Sequence, residues 1–434
     1  MKSRIAWLTA CLVQGALITG TSQAGTQTFH LEIGDPARKG VERPLVIDGI
    51  TDARTGEALS PKQLAGQLSN HRVVFVGESH TDMEFHRAQL RLIEELVLAG
   101  RWVLLGLEMY PYTEQEHLDR WITGLYSEEG FLDLSSWYEN WGYHWQYYRD
   151  IFLYARDNRI PMFALNTPRD VIAAVRKKGF EDLSDEEAEQ VPAEIDFDSD
   201  EHRLLFRTLF DDEDGGFHMA LSDEMLDSFF QAQCAWDATF AHNSLKALRP
   251  YVDDPNVVMV VLVGSGHLLY DLGIQRQMAQ WTDLPVASVI PVPVADRDGE
   301  RVERVRASFA DFLWGLPQSA DPLFPSLGVS TRAETDGTSR AVIDVQKDSV
   351  AEAAGFSVGD VLLAIDGRSV PDRQALNKAM SEMRWGDTAV VTVRRGEQQV
   401  DLEVAFRRSE AEDEGVDNAG AEPEQAERAD ETGD

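Results

Sequence analysis

The chain has 434 residues, enough for two or three domains and a large core. Asp and Glu number 75 against 40 Lys and Arg, a formal net charge of −35. Such a chain repels phosphates, so nucleic acid is not an expected partner and an anionic membrane surface is equally unattractive.

Met1 to Ala24 reads as an export signal: Lys2 and Arg4 supply the basic start, Ile5 to Ile18 is mostly apolar, and Ser22-Gln23-Ala24 is a small-x-small cleavage site. A competing lipoprotein reading of Leu8-Thr9-Ala10-Cys11 would leave Cys11 lipidated and the protein anchored to the outer membrane. The short apolar run before Cys11 favours ordinary cleavage and a periplasmic location. No later stretch reaches the roughly 18 apolar residues that span a bilayer. With Cys11 removed, Cys234 is the sole thiol, so no internal disulfide is expected.

Residues 25 to about 70 form an approach segment that ends in a short helix near Pro61–Leu68. Val73–Val76 predicts a strand buried on both faces, and Gly77 opens a turn carrying Glu78 and His80. A helix follows, with Thr81 and Glu84 as its capping box and Gly100 as its stop. Trp102–Leu107 is a second strand, ending in Glu108-Met109-Tyr110, and Thr113-x-x-Glu116 opens the next helix. Ser136–Tyr148 is dense in aromatic residues, a pattern that marks core more often than a cofactor box. Ile151–Arg156 predicts a helix and Ile160–Leu165 a short strand ending in Asn166. Residues 180–220 are acidic, with a loop at 211–216. Leu221–Leu248 is a long helix, Val257–Val263 the clearest buried strand, Leu272–Met278 a helix and Val286–Val294 a last strand. The alternation predicts an α/β domain, a mostly parallel sheet with helices on both faces. Residues 317–325 read as a linker and 326–408 as a small β-rich unit. From Ser409 onward, eleven acidic residues face a single Arg428 with no aromatic residue, which predicts a disordered tail over 409–434.

Four apolar runs end alike: in Glu78 and His80, in Glu108, in Asn166, and in Gly264-Ser265-Gly266-His267. If those strands are parallel neighbours, their polar ends meet at the carboxyl rim of the sheet, where open α/β folds bind ligands. Glu78, His80, Glu108 and His267 would suit a zinc, manganese or iron ion. The same four would equally serve as acid–base groups, each carboxylate orienting an imidazole. His86 reads as a satisfied helix histidine or a site residue alike. For Gln233 and Asp237 an i,i+4 hydrogen bond is the plain account.

The blocks Gly77-Glu78-Ser79-His80 with His86 and Gln89, Leu107-Glu108-Met109, Trp145-x-x-Tyr148, Ala164-Leu165-Asn166, Gln233-x-x-x-Asp237 and Gly264-Ser265-Gly266-His267 resemble the ChaN-like haem-binding uptake family. The resemblance spans about residues 45–315. That family shares a superfamily with the Tiki/TraB proteases and the erythromycin esterases. The resemblance implies an exported protein that binds haem in iron uptake, with two haems sandwiched in a homodimer. It places the haem among Tyr148, Tyr110, His80, His86, Asn166 and His267, one tyrosine holding the iron. The esterase and protease branches imply the alternative, a metal-dependent hydrolase with Glu78, His80, Glu108 and His267 as its catalytic groups. Downstream, Asp348 to Gly355, Val358-Gly359-Asp360-Val361-Leu362, Ile365-Asp366-Gly367 and Val391-x-Val393-x-Arg395-x-Gly396 resemble a PDZ domain, departing at Val350 where proline is usual. The resemblance makes Ser326-Leu327-Gly328-Val329 the carboxylate-binding loop for the C-terminus of a peptide or protein partner.

Overall fold

The computed structural model describes residues 27–210, 223–295, 301–318, 322–334 and 337–408. The export signal with Cys11, the acidic loop at 211–216 and the tail from 409 lie outside the described residues, as does part of the linker. Among the described residues no helix is long and apolar enough to cross a membrane.

The strands of the first domain are β1 (Glu42–Pro44), β2 (Ile50–Asp52), β3 (Ala58–Leu59), β4 (Val73–Glu78), β5 (Trp102–Pro111), β6 (Met162–Asn166), β7 (Val257–Gly264), β8 (Val286–Ala295), β9 (Arg304–Arg306) and β10 (Phe312–Gln318). Eight of them form one sheet in the order β3-β2-β10-β8-β4-β7-β5-β6. The six from β10 to β6 are parallel, and β2 and β3 close one edge antiparallel. β1 and β9 pair separately. Side chains alternate across a strand, so each apolar run feeds two cores. Val74, Val76, Leu105 and Val260 face one cluster, and Val73, Phe75, Leu104 and Val261 face the other. The helices Met83–Leu98 and Arg149–Asp157 supply the first cluster, and Asp223–Leu248 with Ile274–Met278 the second.

Two helix starts differ from the sequence expectation. Asp82, not Thr81, caps Met83–Leu98, its carboxylate accepting from the Glu84 N–H at 2.9 Å. A carboxylate at a helix start also meets the positive end of the helix dipole, which a hydroxyl cannot match. Nor does Thr113 cap a helix. β5 runs on to Pro111 and a single 3₁₀ turn over Tyr112–Glu114 intervenes, so the helix begins only at Gln115. Glu108, Met109 and Tyr110 therefore belong to the strand itself.

The second domain holds β11 (Val329–Ala333), β12 (Arg340–Val345), β13 (Val361–Ile365), β14 (Arg368–Ser369), β15 (Thr388–Arg395) and β16 (Gln398–Ala405), in the order β11-β12-β13-β15-β16 with β14 on β13. All of its pairings are antiparallel. Leu376 and Ala379 of the Arg373–Met380 helix seal its core. β11 is an edge strand, and Gly328 just before it holds φ at +74°, the turn that brings the 326–329 loop round.

Candidate active and ligand-binding site

β4, β7, β5 and β6 are consecutive in the sheet and parallel, so the four polar strand ends do share one rim. Glu78 stands level with Gly264, and Glu108 follows Leu107 where the β5–β6 register slips. The sheet separates the rim groups into two carboxylate–imidazole pairs, one on each face.

The first pair is Glu78 and His80. His80 Nδ1 lies 2.8 Å from Glu78 Oε1, Tyr148 donates to the same oxygen at 2.6 Å, and Gln89 donates to Oε2 at 2.9 Å. Burial alone would raise the Glu78 pKa. The hydrogen bond from His80, the fields of His86 and His80, and the Tyr148 hydroxyl outweigh it and hold the carboxyl down to about 2. For His80 burial acts the other way, but the bond to Glu78 and the charges of Glu108 and Glu78 hold the imidazolium up. The ring of His80 lies against Gly264, whose missing Cβ would stand 3.2 Å from Cε1. The space that the glycine frees is thus filled by His80 rather than left for a ligand.

The second pair is Asp237 and His267. Asp237 Oδ1 lies 2.6 Å from His267 Nδ1, and Gln233 donates to that same oxygen at 3.2 Å. The bland i,i+4 contact is real, but both of its members also reach His267: the Gln233 amide lies 2.8 Å from Nδ1. His267 Nε2 is 3.8 Å from Glu108 Oε1, while Glu108 Oε2 accepts from the Gly264 N–H at 2.7 Å. Burial lowers the His267 pKa, and Asp237 and Glu108 together raise it past that. Asp237 is the site residue that sequence reasoning undervalued. Its only signal was the Gln233-x-x-x-Asp237 spacing on a helix with no strand end beside it.

The remaining predicted residues take supporting places. His86 is buried, its ring nitrogens meeting Gln89 Oε1 at 3.2 Å and the His80 carbonyl at 3.3 Å. Asn166 donates to the Glu108 carbonyl at 2.9 Å and accepts from Trp236 Nε1 at 2.6 Å, fastening β5 to the long helix. Tyr110 is wholly buried among Phe131, Trp137 and Phe152, its hydroxyl 2.7 Å from Ser135 Oγ. Tyr148 is equally buried and spent on Glu78. Burial raises both phenols well above their ordinary pKa, and the Glu78 charge raises Tyr148 further, so both are neutral donors here. Trp141 and Tyr143 lie against His80, each with its ring centroid 4.8 Å from that of His80.

Among the described residues, no three of His, Cys, Asp or Glu are grouped to hold a metal ion. Each imidazole is oriented by a carboxylate at Nδ1, and a Cβ on Gly264 would stand 3.2 Å from His80 Cε1 and 3.6 Å from Glu108 Oε2.

Residues 64–278 match the family described as haem-binding uptake, Tiki superfamily, ChaN, and residues 325–406 match the PDZ domain. The structure of ChaN of Campylobacter jejuni with cofacial haem is 18% identical, with a TM-score of 0.48, covering 62% of this chain and 98% of that one. An erythromycin esterase mutant in its open conformation is 13% identical, with a TM-score of 0.37, covering 64% of this chain and 98% of that one. The HtrA3 PDZ domain bound to a phage-derived ligand is 22% identical, with a TM-score of 0.17, covering 18% of this chain and 82% of that one. RETICULATA-RELATED 5, a chloroplast protein of Arabidopsis thaliana, is 28% identical over 133 residues, 29% of this chain, which spans only 18% of that relative's length. The chain joins a ChaN-like domain of the Tiki superfamily to a PDZ domain.

Proposed function

We propose that this is an exported haem-binding protein of iron uptake or haem handling, whose PDZ domain docks the C-terminus of a partner. The observation that carries the haem reading is the surroundings of His80. Its side chain is 16% exposed, against 0% for Glu78 and 5% each for Glu108 and His267. Its Nδ1 is fixed by a carboxylate, the arrangement that orients an imidazole and raises its basicity toward a metal centre. The rings of Trp141 and Tyr143 pack against it, the first edge-on and the second tilted. These residues fit a haem in kind: His80 would face the iron, and Trp141 and Tyr143 would cover the macrocycle. A bound haem would supply an iron whose ligation and potential are set by such neighbours. The edge strand β11 and the 326–329 loop support the peptide-docking part, since an extended peptide can add to that edge. Export rests on the basic, apolar and small-residue sequence of Met1–Ala24.

Hemin titration of the full chain tests the reading. We expect a saturable Soret band, and His80→Ala should weaken hemin binding by more than about tenfold, since loss of even a partner that orients such an imidazole costs about 10–100-fold. No saturable binding by the unaltered protein would end the haem proposal. A second reading, hydrolysis, draws on the Asp237–His267–Glu108 alignment, in which a carboxylate orients an imidazole for acid–base work. Cleavage of a simple ester that is lost in His267→Ala would support it.

A further inference from the structure

The segment over His80 has two sides, and the second domain holds the outer one. Trp141 and Tyr143 press on the His80 ring from within. From outside, Asn377 donates to the Tyr138 carbonyl at 2.8 Å and Arg373 to the Trp141 carbonyl at 3.2 Å. One turn further, the Ser381 carbonyl accepts from His144 Nε2 at 3.0 Å. Lys378 meets Asp133 at 2.5 Å, and Phe324 stacks flat on His144 with ring centroids 3.4 Å apart. The fit is close: a Cβ on Gly142 would stand 2.8 Å from both Arg373 Nη2 and Asn377 Nδ2.

Backbone geometry marks where this cover would turn. Ser136 at φ +50° and Gly142 at φ +90° bracket the short Trp137–Asn140 helix, so left-handed residues stand at both ends of a four-residue element. The Arg373–Met380 helix likewise has two jobs. Leu376 and Ala379 are buried in its own domain, while Arg373, Asn377 and Lys378 are spent on the first.

We propose that the PDZ domain is a latch on the ligand site: its Arg373–Met380 helix holds Tyr138–His144 closed over His80, and a ligand reaches His80 when that contact is released. As an account of ligand entry this rests on the haem reading; as an account of access to His80 it does not. Closure is a local equilibrium set by a few hydrogen bonds of modest net strength, so removing two of them shifts the open population without unfolding either core.

The test uses the full chain and two probes. Diethyl pyrocarbonate modification of His80, followed by mass spectrometry, reads access without any haem; hemin association rate reads ligand entry. In the double variant Arg373→Ala, Asn377→Ala, we expect His80 modification and backbone hydrogen exchange over Tyr138–His144 to rise about tenfold. Hemin association should rise with them. Lys378→Glu, a surface change that sets two negative charges face to face, should act in the same direction, guarding against a folding defect in the double variant. Arg368→Ala, which removes an ion pair to Glu382 within the second domain, should leave both rates as they were. Unchanged His80 modification and unchanged exchange in both latch variants would overturn the proposal. Faster modification in a protein that takes up no hemin would keep the latch and discard the haem.

Discussion

The two carboxylate–imidazole pairs at the rim are built from the same groups at nearly the same distances, yet they sit in unlike surroundings. Glu78 and His80 lie beneath a short segment bounded by left-handed residues, and the His80 side chain keeps 16% of its surface exposed. Asp237 and His267 lie under a 26-residue helix, with side chains 0% and 5% exposed. Even the layer behind Asp237 is closed: His202 Nε2 stands 3.9 Å from Asp237 Oδ2, and the Cys234 thiol 3.9 Å from His202 Nδ1. That order of thiol, imidazole and carboxylate resembles a nucleophile chain, but burial pushes the Cys234 thiol far above its usual range and leaves it inert. Chemistry of identical composition is therefore divided between a partly exposed pair and a buried one.

The largest effects should come from removing either carboxylate, and they should be equal in stability but unequal in ligand binding. Glu78→Ala strands three donors in a buried site, and Asp237→Ala leaves His267 without its counter-charge. Breaking a buried pair in this way costs about 3–5 kcal/mol, measurable as a lower urea midpoint at constant slope. Conservative changes separate the pairs more finely. In His267→Gln, hemin affinity should fall by at most about tenfold, the low end for a group that acts only through its neighbour. A loss as large as that of His80→Ala would erase the distinction between the two faces.

The strand half of this site was legible from apolar runs, and the helix half only through the Trp145-x-x-Tyr148 and Gln233-x-x-x-Asp237 blocks. Glu78, His80, Glu108 and His267 each follow an unbroken apolar run, and parallel neighbours bring such ends together whatever the connections between them. Asp237 and Tyr148 come from helical or irregular segments, where position depends on packing angles that periodicity does not encode. Trp141 and Tyr143 were hidden for another reason: a dense aromatic run looks the same whether its members fill a core or wall a site. Trp137, Trp141 and Trp145 all lie in the core, and Tyr143, just after the left-handed Gly142, packs on its margin against His80. The contact between the domains left no trace either, because Arg373 and Asn377 read as ordinary polar positions on an amphipathic helix.

The smallest expected effect is a pH dependence, and it also tells the faces apart. His144 accepts from the Gln146 N–H through Nδ1 and donates to Ser381 through Nε2, so it is neutral in the closed interface. Burial holds its pKa down to about 4, with the nearby Arg384 charge acting in the same direction. The unfolded or released imidazole titrates near 6.5, so between about 6.5 and 4 the released form binds the extra proton and the closed form loses stability as pH falls. His202 is also held down to about 4, mainly by burial, and produces a loss of the same sign in the same window. Glu78 adds a loss of the same sign only as pH falls through the ordinary carboxylate value of 4.5 toward its folded value of about 2, below the 6.5 to 5 interval that reads the histidines. The two histidines separate by place. Hydrogen exchange, corrected for its intrinsic pH dependence, should quicken over Tyr138–Tyr147 as pH falls from 6.5 to 5, and His144→Gln should abolish that change. The amides of Gln233–Asp237 answer to His202 and should keep their own response in that variant. If His144→Gln leaves the interface segment as sensitive to acid as before, its opening is governed by the buried face, and the two halves of the rim act as one.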